Sequence, residues 1–214
     1  MSPSHASTPT PSSEETAARG DDLLDDELRR KLPVRDPIAL QALFDAYFDR
    51  LYGYVRGLVQ HEQLAEDLTQ DIFLAIHRGL PTYDPARKLR PWIFTIAVNR
   101  VRDHWRSRAH RDAQTESSID REEDQIEIED DAELPLVPLL RTEQAGELHA
   151  AIEKLSENQR EVVVLRTFEE RSFAEIGEIL GSNEVAVRKR YSRALEFLRN
   201  DLGAREENAR GAES

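Results

Sequence analysis

The chain has 214 residues, of which 39% are hydrophobic and 33% charged, and a formal net charge of −13. That is too polar for one large core and predicts small helical units joined by solvated segments. Cysteine is absent, which excludes a disulfide framework and thiolate metal sites and suits a reducing cytoplasm.

The first twenty residues, MSPSHASTPTPSSEETAARG, lack the apolar run of a signal peptide, and no stretch approaches the roughly 20 apolar residues of a membrane span. A cytoplasmic protein with no membrane partner is expected. The charge is unevenly divided. Residues 87–111 carry eight bases and one acid, residues 112–133 eleven acids and one base, and residues 188–199 five bases and one acid. Salt screens charges beyond about 8 Å, so the two basic blocks attract polyanions whatever the total.

In chain order, residues 1–35 are rich in Ser, Thr, Pro and Asp and are predicted to be a disordered extension, with room for a short helix near Leu23–Leu32. From Asp36, Leu40, Leu43, Phe44, Tyr47, Leu51, Tyr52 and Val55 recur at steps of three and four, which predicts a helix with one apolar face. A second helix is predicted over 62–78, with Pro81 beyond its end. After the loop PTYDPARKLRP a third runs over about 91–108, with Pro91 in its first turn. Residues 111–140 read as an acidic linker without a period. Helices resume at 142–154. Ser156 with Gln159 is a capping-box pattern that starts a helix running to Phe168, and Ser172 with Glu175 starts a shorter one that Gly181 ends. Asn183 can cap a last helix over 184–201. The predicted fold is all-α: two small helical domains, 36–110 and 141–203, joined by the linker, with a disordered tail at 204–214.

The last two helices, short then long and separated by Gly181-Ser182-Asn183, have the form of a helix-turn-helix. On the long one Val187, Tyr191, Ala194, Leu195 and Leu198 share a face. Glu184, Val185, Lys189, Ser192 and Arg193 point away, with Arg188 and Arg190 on the flanks. One side packs and the other is polar and positive, as a recognition helix in a DNA major groove must be. The competing reading is a solvated charged face.

In the first domain, bases are interleaved with Trp92, Phe94 and Trp105, a pattern suited to single-stranded nucleic acid. The third helix carries two apolar stripes, one of Phe94, Val98, Val101 and Trp105, the other of Trp92 and Ile96 continuing into Asn99 and Asp103. Either can face the core. On the second helix Phe73 points away from the Leu64, Leu68, Ile72, Ala75 stripe. It either packs inside a bundle or marks a protein interface beside Asp67, Gln70 and Asp71.

Three segments, AEDLTQDIFLAIHRGL, RPWIFTIAVNRVRDHWR and LSENQREVVVLRTFEERSFAEIGEILGSNEVAVRKRYSRAL, resemble the extracytoplasmic-function (ECF) group of bacterial RNA polymerase sigma factors. The resemblance spans both helical domains in order. It implies that the first domain holds core RNA polymerase and opens the −10 promoter element, and that the helix-turn-helix reads the −35 element. By position, Asp67, Gln70 and Asp71 fall on the family's polymerase-docking helix. Lys88, Arg90, Trp92, Asn99 and Arg102 fall in the −10 stretch, and Glu184, Val185, Arg188, Lys189, Ser192 and Arg193 on the −35 helix. The chain departs from the family at His77, where Trp is common, and at Asn183-Glu184-Val185-Ala186, in place of Ser-x-Gly-Thr. An anti-sigma factor commonly restrains such proteins. The acidic linker reads either as a polyanion able to lie in polymerase channels or as a solvating spacer. The rivals are a free-standing helix-turn-helix regulator and an enzyme. Against the enzyme, the six histidines show no metal-ligand spacing and no phosphate loop or nucleophile motif occurs, so no cofactor is expected.

Overall fold

The computed structural model describes residues 23–59, 61–112 and 145–212, and every regular element among them is helical. The helices are α1 (Asp26–Lys31), α2 (Pro37–Val59), α3 (Glu62–Gly79), α4 (Leu89–Asp112), α5 (Ala145–Glu153), α6 (Glu157–Phe168), α7 (Phe173–Leu180) and α8 (Glu184–Ala212). The acidic block at 113–133 and the apolar run at 134–140 lie outside the described residues.

The first unit is a bundle of α2, α3 and α4. Leu43, Tyr47, Leu51, Tyr54 and Leu58 of α2 meet Leu68, Ile72 and Ile76 of α3 and Ile93, Phe94, Ala97, Val98 and Val101 of α4, all buried. Each fully buried Leu or Ile contributes about 2 kcal/mol of transfer free energy. Local signals set the helix starts. Asp36 accepts from the amides of Ile38 and Ala39, and the His61 ring accepts from Leu64 N.

The N-terminal boundary lies earlier than the sequence pattern places it. Asp25 caps α1 by accepting from Leu28 N at 2.8 Å, and Leu24 and Leu32 are buried in the same core. Residues 24–35 therefore belong to the first unit: two leucines among polar neighbours are enough to fasten the segment, though too few to produce a period.

The second unit is α5 to α8. Both expected capping boxes form, at Ser156–Gln159 and Ser172–Glu175. Gly181 ends α7 in the left-handed region at φ 66°, where a Cβ is strained, and Asn183 Oδ1 caps α8 by accepting from Ala186 N at 2.7 Å. The last helix runs to Ala212 rather than ending near 201, so the expected disordered tail is helical at least to that residue. Ala, Arg and Glu dominate its last turns, and all three have high or moderate helix propensity.

The two units are packed together. Helix α6 lies between α2 of the first unit and α8 of the second, and α7 lies against α4. Val162, Val163, Val164 and Leu165 are consequently buried on every side of α6. A Cβ on Gly57 of α2 would stand 3.2 Å from Val164 Cγ1, so the helices meet where one has no side chain.

Candidate nucleic-acid interface

The recognition helix presents the two faces expected of it. Val187, Tyr191, Ala194, Leu195 and Leu198 are all buried, while Glu184, Val185, Arg188 and Ser192 are exposed and Lys189, Arg190 and Arg193 half-buried. Val185 is 68% exposed at the start of the helix, an apolar tip held out in water. Arg188 is preset in place. It donates to Glu184 Oε1 at 2.8 Å from Nη2, and its guanidinium lies 4.7 Å from the centre of the Phe173 ring, which also packs on Tyr191. Arg166 approaches that ring at 4.9 Å, so two cations share one aromatic.

In the first unit the structure decides between the two stripes of α4. Phe94, Val98 and Val101 face the core, with Phe94 edge-on to Tyr54 at 5.5 Å. Trp92 and Ile96 are half-buried on the other stripe. Trp92 lies 4.9 Å from Tyr83, and a Cβ on Gly79 would come 3.1 Å from its Cζ2, so its ring covers the end of α3. Lys88 and Asn99 are exposed.

Arg90 and Arg102, by contrast, are held by carboxylates of the second unit. Arg102 donates from Nε and Nη2 to the two carboxylate oxygens of Glu161 at 2.8 and 2.7 Å, a bidentate fork, and Glu161 is 1% exposed. Arg90 is itself only 4% exposed and lies 3.7 Å from Glu169 Oε2, which Arg50 also approaches at 3.4 Å. Burial pushes the carboxyls of both Glu161 and Glu169 up from the ordinary range, against the pull of their arginines. The Glu161 hydrogen bonds hold the Arg102 guanidinium above its usual value.

Two further bonds close the seam. Arg160 Nη1 of α6 donates to the carbonyl of Leu58 at 3.0 Å, and the Thr95 hydroxyl of α4 reaches the Ile179 carbonyl at 3.4 Å while bonding Pro91 O at 2.8 Å. Glu161 and Glu169 were not among the residues singled out from sequence. The signal was available: Glu161 opens the run EVVVL, whose four successive apolar residues cover a full turn, and a carboxylate buried beside them needs a cationic partner.

Asp67, Gln70 and Asp71 sit exposed along α3, with Gln63 Nε2 donating to Asp67 at 3.3 Å. Beside them Phe73 is half-buried, packed at the edge of the bundle rather than inside it. Its ring packs 5.0 Å from Phe44 and 6.1 Å from Phe48, which in turn stacks on Tyr52, and Phe44 remains 44% exposed. The four rings form a surface cluster rather than core. Among the described residues no group of His, Asp or Glu could hold a metal ion, and no helix is long and apolar enough to cross a membrane.

Residues 43–111 match sigma-70 region 2, and residues 145–198 match sigma-70 region 4. Over 165 residues, 77% of this chain and 90% of the other, the sequence is 36% identical to the RNA polymerase sigma factor CarQ of Myxococcus xanthus. The chain belongs to the ECF sigma factors of the sigma-70 family. Other ECF relatives include BldN of Streptomyces coelicolor, 31% identical over 80% of this chain and 63% of that protein. YlaC of Bacillus subtilis, an RNA polymerase sigma factor, is 30% identical over 79% of this chain and 95% of its own length. Two solved structures share the fold. CnrH, solved with the cytosolic domain of CnrY, superposes with a TM-score of 0.62 at 24% identity over 84% of this chain and 97% of its own. The Bartonella quintana sigma factor RpoE, solved with the anti-sigma factor NepR, gives 0.58 at 22% over 76% and 96%. A region 2 in the same chain as the helix-turn-helix separates this sigma factor from free-standing regulators, whose DNA reading needs only the second unit.

Proposed function

We propose that this ECF sigma factor acts in the cytoplasm by docking core RNA polymerase through α3 and bringing it to promoters read by its two basic surfaces. Asp67, Gln70 and Asp71, with the neighbouring ring cluster, form the docking face. The exposed side of α8 (Glu184, Val185, Arg188, Lys189, Ser192 and Arg193) enters the major groove of the −35 element. The loop before α4 and that helix's outer side (Lys88, Arg90, Trp92, Asn99 and Arg102) hold the −10 strand.

The observation that carries this reading is α8 itself: five apolar side chains buried on one face and a polar, cationic row on the other, with its start capped and its turn fixed. Strand opening asks for no catalytic residue. An unpaired base must bind the protein better than it stacks in the duplex, and unstacking costs a few kcal/mol. Arginines supply phosphate contacts there, and the half-buried edge of Trp92 gives a flipped base an aromatic neighbour. An anti-sigma factor is the expected restraining partner.

Run-off transcription with purified core polymerase on a genomic promoter library tests the reading. Discrete start sites that appear only when the protein is added are expected. Transcripts identical with and without it would refute the assignment.

A further inference from the structure

We propose that Phe173 is a positioning residue for promoter recognition: together with Glu184, its ring holds the Arg188 guanidinium in one orientation at the start of α8, with one edge ready for a pair of acceptors on −35 DNA. This rests on the sigma-factor reading above, in which α8 enters the major groove. Phe173 acts through Arg188 rather than on DNA. It owes its own place to the turn before α7. Ser172 accepts from Glu175 N, and Glu175 accepts in return from Ser172 N at 2.8 Å, which fixes the backbone of Phe173, the first helical residue. Two neighbours then hold the ring. Tyr191, buried on the packed face of α8, lies 5.3 Å away between ring centres. Arg166 of α6 brings its guanidinium to 4.9 Å while donating from Nη1 to the Arg171 carbonyl at 3.0 Å.

On this platform Arg188 is fixed twice. Its guanidinium lies 4.7 Å from the ring centre, and its Nε and Nη2 both donate to Glu184 Oε1, at 3.1 and 2.8 Å. A guanidinium is planar, so the ring contact sets its plane and the bonded edge sets its rotation within that plane. Glu184 alone does not achieve this, because a pair four residues apart on an exposed helix contributes little and leaves the plane free to turn. The edge formed by Nη1 and the second Nη2 hydrogen faces away from Glu184, on a side chain that is 47% exposed. That end-on fork matches two adjacent acceptors, either guanine O6 and N7 or two oxygens of one phosphate. An arginine loose in water loses rotamer freedom when it binds. Arg188 has lost it beforehand, so Phe173 contributes to affinity without touching DNA.

Phe173→Leu keeps an apolar side chain against Tyr191 and removes the aromatic face, whereas Phe173→Tyr keeps that face. Holoenzyme assembled from core polymerase and each full-length chain would transcribe, at limiting holoenzyme, a library in which the −35 positions of one promoter found by run-off are randomised, with transcripts counted by sequence. Phe173→Leu should lower the yield on the −35 sequences that the native chain favours by about two- to fivefold, and Phe173→Tyr should match the native chain. In an Arg188→Ala chain, Phe173→Leu should change nothing further. A loss confined to sequences with guanine at one position identifies the acceptors as O6 and N7, and an equal loss on every sequence identifies them as phosphate oxygens. An undiminished yield with Phe173→Leu would overturn the proposal. So would a loss that persists at full size in the Arg188→Ala chain, because the ring would then serve only the packing of α7 on α8. A native chain that directs no start site would refute the sigma-factor reading itself, whereas directed transcription with either of those two results would refute only the role of Phe173.

Discussion

Gly177 and Ser182 close the helix-turn-helix at van der Waals range. The Ser182 N–H donates to the Gly177 carbonyl at 2.9 Å, and a Cβ on Gly177 would stand 2.7 Å from the Ser182 carbonyl oxygen. That oxygen is main chain and cannot swing aside. The turn must move, and with it the start of α8.

Gly177→Ala is therefore expected to destabilise the second unit, although alanine favours helix by about 1 kcal/mol. The steric term of about 1–3 kcal/mol exceeds that gain. A lower thermal midpoint together with weaker binding to −35 duplex DNA is the expected result. An unchanged midpoint would show that the turn has slack the geometry does not reveal.

Tyr54 offers a prediction of opposite sign. Its ring is fully buried against Phe94, and its hydroxyl has no hydrogen-bond partner. Burial, reinforced by the nearby Glu161 carboxylate, pushes its ionisation well above the usual phenol range, so it stays neutral. An unsatisfied buried hydroxyl costs about 1–3 kcal/mol. Tyr54→Phe keeps the ring and removes the cost, so chemical denaturation should give a midpoint equal to or above that of the native chain.

The seam carboxylates set a pH dependence. Glu161 faces Arg102, Glu157, Arg190 and Tyr54, and Glu169 faces Arg50, Arg90, Arg171 and Tyr54. Burial dominates in both and raises their pKa above that of an exposed glutamate, about 4.3. A raised folded value means that the packed form holds protons more tightly than the open one. Its stability then rises as pH falls into the window above the exposed value and declines as pH climbs through the folded value. Acidifying from about pH 7 to about pH 5 should raise this contribution. The Glu161→Gln, Glu169→Gln double variant should show a flatter profile of midpoint against pH than the native chain, and an equally steep one would assign the effect to other groups.

Lys189 lies half-buried on the cationic side of α8. If it meets phosphate, Lys189→Ala weakens binding to every −35 duplex by a similar factor and lowers the slope of log affinity against log salt by about one. A loss confined to particular base pairs would mark it as a base reader instead.

The second unit was legible in the sequence because its signals are local. Ser156 with Gln159, Ser172 with Glu175, Gly181 and Asn183 each act within four residues, and the 100° step alone sorted Val187, Tyr191, Ala194, Leu195 and Leu198 from the charged face. The packing of the two units was not legible, since Arg102 and Glu161 are 59 residues apart and no period links them. Nor were Leu24 and Leu32, whose burial depends on what α2 and α3 present to them. The stripes of α4 remained open for a related reason: Phe94 and Trp92 are both apolar, and only the neighbours decide which is core.

Arg160 gives the seam an unequal character. Its guanidinium bonds the carbonyls of Ile152, Glu153 and Leu155 within its own unit, and only Nη1 reaches across to Leu58. Most of this cation's hydrogen bonds therefore lie within the second unit. Across the seam it meets a single carbonyl, that of Leu58 in the last turn of α2. One guanidinium thus works mainly as an internal rivet for α5 and α6, and only incidentally as a tie between the units.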